Sequence, residues 1–108
     1  MNKMTAREIF NYLGSFLDIE NMPSFLDGYK DIEIEKWNES QAKLGTYKRV
    51  HKDRIGDDKD ITETVYYFVD HDCFIKFTGW YSSYEGTTYE DWAEVIPVEK
   101  TITIYEAV

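Results

Sequence analysis

The stretch TVYYFVDHDCFIKFTGWY, residues 64–81, is the densest apolar and aromatic run in the chain. Aromatic and β-branched side chains are typical of half-buried strands, whose successive residues point to opposite faces. The three polar residues at its centre, 70–72 (DHD), suit a hairpin loop. The stretch therefore predicts a central β-hairpin that places Tyr66 and Tyr67 on opposite faces.

An amphipathic helix is predicted before this hairpin. Thr5 and Glu8 have the spacing of a capping box, in which each side chain reaches a backbone N–H that the first turn leaves unpaired. Apolar residues then recur at helical spacing, and we expect this stripe to pack on the sheet, with Pro23 limiting the helix. The residues of the stripe are Ile9, Phe10, Leu13, Phe16 and Leu17.

Residues 29–37, YKDIEIEKW, alternate apolar and charged side chains, which predicts a strand with one face in water. Asp31, Glu33 and Glu35 would form a row on that face. The row is either an ordinary solvated surface or a phosphate-like array for a basic partner. Residues 38–44 suit a helical turn or a loop equally well.

The end of the chain is predicted to close the sheet. Residues 93–98 alternate in the manner of a strand, Pro97 marks a strand end or an edge, and residues 101–105 are rich in β-branched side chains. The expected fold class is therefore α+β, with the N-terminal helix packed on a four- to six-stranded, mostly antiparallel sheet in a single domain.

Cysteine content and hydropathy bear on the compartment. Cys73 is the only cysteine, so no disulfide can form within the chain, and its place in an apolar strand favours a small buried hydrophobe over a reactive thiol. The sequence contains no apolar leader followed by a cleavage site and no run of 18 apolar residues. These features predict a cytoplasmic protein without a membrane partner.

Charge is distributed unevenly along the chain. Residues 1–52 hold 8 acidic and 8 basic residues, whereas residues 53–108 hold 13 acidic and 4 basic ones, so the whole net charge of −9 lies in the second half. Phosphates need Lys and Arg partners, and the excess of carboxylates therefore argues against direct binding of nucleic acid. It favours a partner with a basic surface, or none.

Two charged clusters have plausible structural roles. Residues 48–54 contain the basic cluster Lys48, Arg49, Lys52 and Arg54, which we expect to pair across strands with neighbouring carboxylates. The aspartates of residues 53–60 do not follow the ligand order of a calcium-binding loop, so a solvated turn is expected there.

The polar centre of the hairpin admits a functional alternative. Two carboxylates beside His71 could bind a metal ion or act as an acid and base pair. Adjacent residues of a short loop point in different directions, however, and Asp favours turns in its own right. We therefore predict a structural turn, with no catalytic, cofactor-binding or metal-binding residue in the chain.

Residues 79–92, GWYSSYEGTTYEDW, combine five aromatic side chains with Ser, Thr, Gly and carboxylates. Rigid aromatic rings with polar tips make good contact surfaces. The same residues could simply cover an open sheet face, and an aromatic platform for sugars is a further alternative. The aromatic residues of this segment are Trp80, Tyr81, Tyr84, Tyr89 and Trp92.

Residues 64–106 resemble a family of small acidic proteins encoded by tailed bacteriophages. The resemblance is carried by YYFVDHDCFIKFTGWYSSYEGT and EVIPVEKTITIYE, through an aromatic, D-H-D, G-x-Y-x-S-Y-x-G-T and E-V-x-P pattern. It implies a protein that binds and blocks a host enzyme, such as a nuclease or a CRISPR effector, in some cases by imitating nucleic acid. It implies no catalytic residues.

Three functional classes follow from these observations. The first is an acidic binding protein that inhibits a nucleic-acid-handling or defence enzyme, with aromatic anchors and carboxylates in contact with a cationic groove. The second is a structural or assembly module without inhibitory activity, and the third is a paired-carboxylate hydrolase, which we do not expect. The candidate contact residues are the five aromatics of residues 79–92 together with Asp57, Asp58, Asp60, Asp70, Asp72, Glu85, Glu90, Asp91 and Glu94.

Overall fold

The computed structural model describes residues 2–29, 32–56, 60–84, 86–99, 101 and 103–108. Three helices precede a four-stranded sheet, and single 3-10 turns at Ile19–Asn21 and Val69–His71 connect parts of the chain. The helices and strands are α1 (Ala6–Gly14), α2 (Met22–Leu26), α3 (Ile34–Leu44), β1 (Tyr47–Ile55), β2 (Ile61–Phe68), β3 (Cys73–Ser82) and β4 (Gly86–Val95). The predicted α+β class is confirmed.

The capping box at the start of α1 is present. The Thr5 hydroxyl accepts a hydrogen bond from the Glu8 N–H (3.1 Å), and the Glu8 carboxylate accepts one from the Thr5 N–H (3.0 Å). Ile9 and Leu13 are completely buried, as the stripe predicted. The helix ends at Gly14, but the following residues 16–17 remain half-buried against the core.

The prediction of a strand at residues 29–37 is wrong, because α3 begins within it. Glu33 is the N-cap of α3 and Glu35 lies in its first turn, where a carboxylate interacts favourably with the helix dipole. Trp37 packs edge-on against Phe25 of α2, with ring centroids 5.0 Å apart. This contact lies on the inner side of a helix that also buries Leu44, so helical periodicity outweighs the short alternation. The expected row of carboxylates is absent here, and Asp31 lies outside the described residues.

The sheet is an antiparallel meander in the order β1-β2-β3-β4. The predicted central hairpin is confirmed as β2 and β3, which pair from Ile61 with Trp80 to Phe68 with Cys73. β1 and β4 are the two edges. Both edge strands carry one irregularity, near Val50 in β1 and opposite Gly79 in β4.

The two faces of the sheet differ in what covers them. Even-numbered residues of β2 and odd-numbered residues of β3 up to Gly79 are buried, whereas their neighbours are half-buried or exposed. The helices pack on the buried face, which we call the covered face; the other is the open face. The core of the covered face consists mainly of Ile9, Leu13, Met22, Phe25, Leu44, Tyr66, Phe68, Ile75 and Phe77.

The predicted strand at residues 101–105 is absent from the part of it that the structure describes, residues 101 and 103–105. Residues 96–99, 101 and 103–108 lie in no helix or strand, and Ile104 and Tyr105 are 71% and 94% exposed. β4 ends at Val95, two residues before Pro97, as expected from the missing N–H of proline. High β-propensity forms a strand only where a segment pairs with a sheet edge, and the described residues of this segment pair with neither β1 nor β4.

Candidate functional site

The polar centre of the hairpin is a structural turn. His71 is 4% exposed, and its Nδ1 accepts a hydrogen bond from the backbone N–H of Met4 (2.8 Å). Its Nε2 lies 3.2 Å from the carbonyl oxygen of Lys43. Because Nδ1 must be an acceptor, Nε2 carries the proton and donates to that carbonyl. The imidazole therefore ties the N-terminal segment and the end of α3 to the hairpin.

The two aspartates of this turn also have local roles. Asp70 accepts a hydrogen bond from the Thr46 N–H (2.7 Å), and the Tyr67 hydroxyl donates to Asp72 (3.1 Å). Asp72 has a positive φ of 51°, a conformation that Asp tolerates in tight turns. The three polar side chains of the turn have different partners and do not converge on a common centre.

Cys73, at the start of β3, is a buried free thiol. Burial raises the pKa of this thiol to about 11, with smaller contributions from Glu94 and Asp72. The thiolate is therefore suppressed at neutral pH, which agrees with the expected role of a small buried hydrophobe. In the part of the chain that the structure describes, no group of three His, Cys, Asp or Glu side chains is placed to hold a metal ion.

The aromatic segment 79–92 is not one surface. It forms the β3–β4 hairpin, which divides its aromatic side chains between the interior and the exterior. Tyr89 is only 8% exposed, and Trp92 stacks on Phe10 of α1 with ring centroids 4.4 Å apart. Trp80 and Tyr84 are 42% and 98% exposed. The segment therefore contributes to both structural cover and an accessible surface.

One end of the sheet collects most of the accessible candidate residues. Trp80 lies on the open face and donates a hydrogen bond from its indole N–H to Glu90 (2.9 Å). Tyr81 lies under the guanidinium of Arg54, 4.0 Å from its ring centroid. Asp60 adjoins this end through its carbonyl oxygen, which accepts from the Tyr81 N–H.

The remaining candidates lie elsewhere. Asp70 and Asp72 are at the opposite end of β2, which spans roughly 26 Å at the usual rise per strand residue. Asp57, Asp58 and Glu85 lie outside the described residues. The carboxylates that the structure describes therefore do not converge on one surface.

The two edges of the sheet have opposite charge. β4 carries Glu90, Asp91 and Glu94, all exposed, and contains no Lys or Arg. We call these three residues and their strand the acidic edge. β1 carries four Lys or Arg residues and one Asp. An edge strand also presents unpaired backbone N–H and C=O groups, so the acidic edge offers both charge and hydrogen bonds.

The basic cluster of β1 is used differently from the prediction. Arg49 pairs with Asp27, which follows α2 and is not on a neighbouring strand (3.3 Å). His51 does contact a carboxylate of the adjacent strand, Glu63, at 2.9 Å. The contact of His51 therefore follows the expected cross-strand pattern, whereas that of Arg49 does not.

A polar cleft of about 590 Å³ lies between α2 and the covered face of the sheet. Asp27 is at its base, where its carboxylate accepts hydrogen bonds from the Tyr66 hydroxyl (2.8 Å) and from Arg49. The Tyr66 hydroxyl is also 3.1 Å from the carbonyl oxygen of Pro23. Burial, reinforced by Asp27, raises the pKa of Tyr66 far above its ordinary value. The pKa of Tyr89 on the cleft wall is also raised, mainly by burial.

Sequence reasoning did not identify this cleft. Asp27 precedes a glycine, a pair that is typical of turns, and its hydrogen-bond partner Tyr66 is 39 positions away. The feature of the sequence that could have indicated the cleft is the basic cluster in an otherwise acidic chain. Its position opposite α2 depends on the tertiary fold, which no local pattern encodes.

Comparison with protein-family models, curated protein sequences and solved structures gives no match to this chain. Within the described residues, no helix has both the length and the apolar character needed to cross a membrane.

Proposed function

We propose that this protein is a binding protein whose acidic edge docks on a cationic surface of a partner. The partner class is a nucleic-acid-handling or defence enzyme of the bacterial cytoplasm, whose basic groove the carboxylates occupy. The observation that carries the proposal is the acidic edge itself. Glu90, Asp91 and Glu94 are exposed on an edge strand that pairs only with β3 and has no Lys or Arg of its own.

Two types of contact would act together at this edge. A partner strand placed along β4 would complete the sheet and satisfy its backbone groups, which is the usual mode of strand addition. Opposite charge would speed association and make it sensitive to salt. Trp80, which donates a hydrogen bond to Glu90, and the exposed Tyr84 would supply apolar anchors that slow dissociation.

A second candidate, an assembly module, is favoured by a different part of the chain. The C-terminal residues beyond β4 carry exposed apolar side chains without forming a helix or strand in the described part. Such side chains suit burial against another protein by contacts that do not depend on charge. The most exposed are Ile96, Val98, Ile104, Tyr105 and Val108.

A pull-down from bacterial lysate, washed first at low and then at high salt, separates the two candidates. The test variant reverses the acidic edge, with Glu90→Lys, Asp91→Lys and Glu94→Lys. The matched control reverses three exposed carboxylates outside β4, with Asp18→Lys, Glu35→Lys and Asp53→Lys. Circular dichroism checks that both variants remain folded.

We expect a nucleic-acid-handling protein to be retained by the wild type and the control variant, released by salt, and lost with the edge variant. Equal retention by the edge variant would contradict the proposal. A partner that survives the high-salt wash and is lost on Ile104→Asp and Tyr105→Asp would instead establish the assembly role.

A further inference from the structure

The bulge in β1 gives the polar cleft a cationic wall. Arg49 and Lys52 are three residues apart, so in a regular strand they would point to opposite faces. The register shift between Arg49 and His51 inserts one extra residue. Arg49 therefore pairs with Tyr66 and Lys52 with Thr64, and both of these partners point to the covered face. A bulge of this kind re-aims side chains.

Lys52 and Arg49 retain binding capacity at this wall. The Lys52 ammonium has no carboxylate within 4.0 Å among the residues that the structure describes. Among the described residues, Arg49 makes one ion pair, of 3.3 Å from Nη1 to Asp27, and the remaining N–H donors of its guanidinium have no carboxylate partner there. Two neighbouring cations with free donors suit a phosphate group.

The hydroxyl of Tyr89 adds a third donor. Tyr89 is 8% exposed and lines the cleft beside Asp27 and Arg49. In contrast to Tyr66, whose hydroxyl is bonded to Asp27, the Tyr89 hydroxyl has no hydrogen-bond partner among the described residues. This hydroxyl lines the cleft and is therefore free to donate to a ligand there.

The opposite wall limits the size and the charge of the ligand. Glu20 lines it, and Asp27 lies between the walls in contact with Arg49, so a second or third phosphate would meet carboxylates. Tyr29 is 73% exposed at the rim and offers a free ring face. Tyr29 and Ser24 also border a less polar recess of about 380 Å³. The space therefore fits one phosphate joined to a flat, partly apolar body.

We propose that this cleft binds a nucleoside monophosphate. The phosphate accepts hydrogen bonds from Lys52, Arg49 and Tyr89, and the base stacks on Tyr29. Ribose hydroxyls donate to the carboxylate of Glu20. The site shares Tyr89 with the strand of the acidic edge but none of its three carboxylates. Its ligand is a single nucleotide, for which two cations suffice. A nucleic-acid strand would need a longer basic track.

Titration calorimetry of the full chain with adenosine 5′-monophosphate, adenosine and inorganic phosphate tests the proposal. We expect the monophosphate to bind at least about tenfold more tightly than adenosine or inorganic phosphate, since only the monophosphate contacts both the two cations and Tyr29. Lys52→Met should weaken binding by about tenfold or more, because it removes a charge-assisted contact. Tyr89→Phe, which removes one hydroxyl, should weaken it by about fivefold.

Lys48→Met is the matched control. It makes the same change in the same strand, but Lys48 pairs with Tyr67 and points to the open face. The control should bind as the wild type does, and thermal unfolding shows whether Tyr89→Phe remains folded. The proposal is overturned if no monophosphate binding is measurable, if phosphate alone binds equally well, or if Lys48→Met and Lys52→Met have equal effects. Each of these results would leave the acidic edge and its partner untouched.

Discussion

The covered and open faces of the sheet are built from the same strands and from similar side chains, yet they have different physical roles. Tyr66 and Tyr67 are adjacent in β2. Tyr66 is 1% exposed and bonded to the helical layer through Asp27, whereas Tyr67 is half-buried and stacks on Phe74 at 4.3 Å. Aromatic content therefore does not mark the core. The position of the helices determines which aromatic side chains become structural.

The largest expected difference between the faces concerns two phenylalanines of β3. Phe77 is completely buried and packs edge-on against Tyr66. Phe77→Ala should lower the free energy of unfolding by about 3 to 5 kcal/mol, because it removes buried surface and leaves a cavity. Phe74→Ala, on the open face, should cost only about 1 to 2 kcal/mol. Urea unfolding monitored by circular dichroism measures both.

Equal losses in the free energy of unfolding for Phe74→Ala and Phe77→Ala would contradict the expected difference between the two faces. Such a result would mean that the open face is also buried in solution, by another copy or by a partner. Repeating the measurement at several protein concentrations distinguishes association from intrinsic packing, since only association makes the stability depend on concentration.

The adjacent tyrosines give a smaller effect of the same kind. Tyr66→Phe removes the hydroxyl that donates to Asp27 and leaves the carboxylate without that donor. We expect a loss of about 1 to 3 kcal/mol at neutral pH. Tyr67→Phe removes a hydrogen bond to Asp72 at the surface and should leave the stability nearly unchanged. The same urea experiment compares the two variants.

The cost of Tyr66→Phe should also depend on pH. Because the folded protein holds the pKa of Tyr66 above the ordinary value of 10.0, the unfolded chain loses this proton first. The stabilising contribution of the phenol is fully present below about pH 10 and declines at higher pH. The difference between wild type and variant should therefore narrow above about pH 10. A difference that stays constant to pH 11 would show that neither burial nor the Asp27 contact raises the pKa of this phenol.

The hairpin was predictable from sequence because its pattern is local and repeated. Two strands with matching alternation flank a polar turn, and the resulting faces agree with the observed burial of Tyr66, Phe68, Ile75 and Phe77. The capping box of α1 is similarly local, since both of its contacts span three residues.

The errors arose where a distant partner decides the structure. Two isoleucines at residues 32 and 34 suggested a strand, but the packing of Trp37 on Phe25 favours a helix. Residues 101–105 have strong β-propensity, but those that the structure describes pair with neither edge of the sheet. The cleft depends on the contact between Asp27 and Tyr66 and on a bulge in β1. Neither feature has a signature in a single sequence.

The smallest expected effect concerns the contacts of Glu63 on the open face. Glu63 lies 2.9 Å from His51 and 3.8 Å from Lys76, and both partners are partly exposed to solvent. Glu63→Gln should therefore lower the free energy of unfolding by a few tenths to about 1 kcal/mol at low salt. A double-mutant cycle with Lys76→Met isolates the pair, whose coupling should vanish near 1 M salt because exposed charges are screened. A coupling free energy that persists at high salt would mean that this face is shielded from solvent. The two faces would then differ only in that the helices pack on one of them.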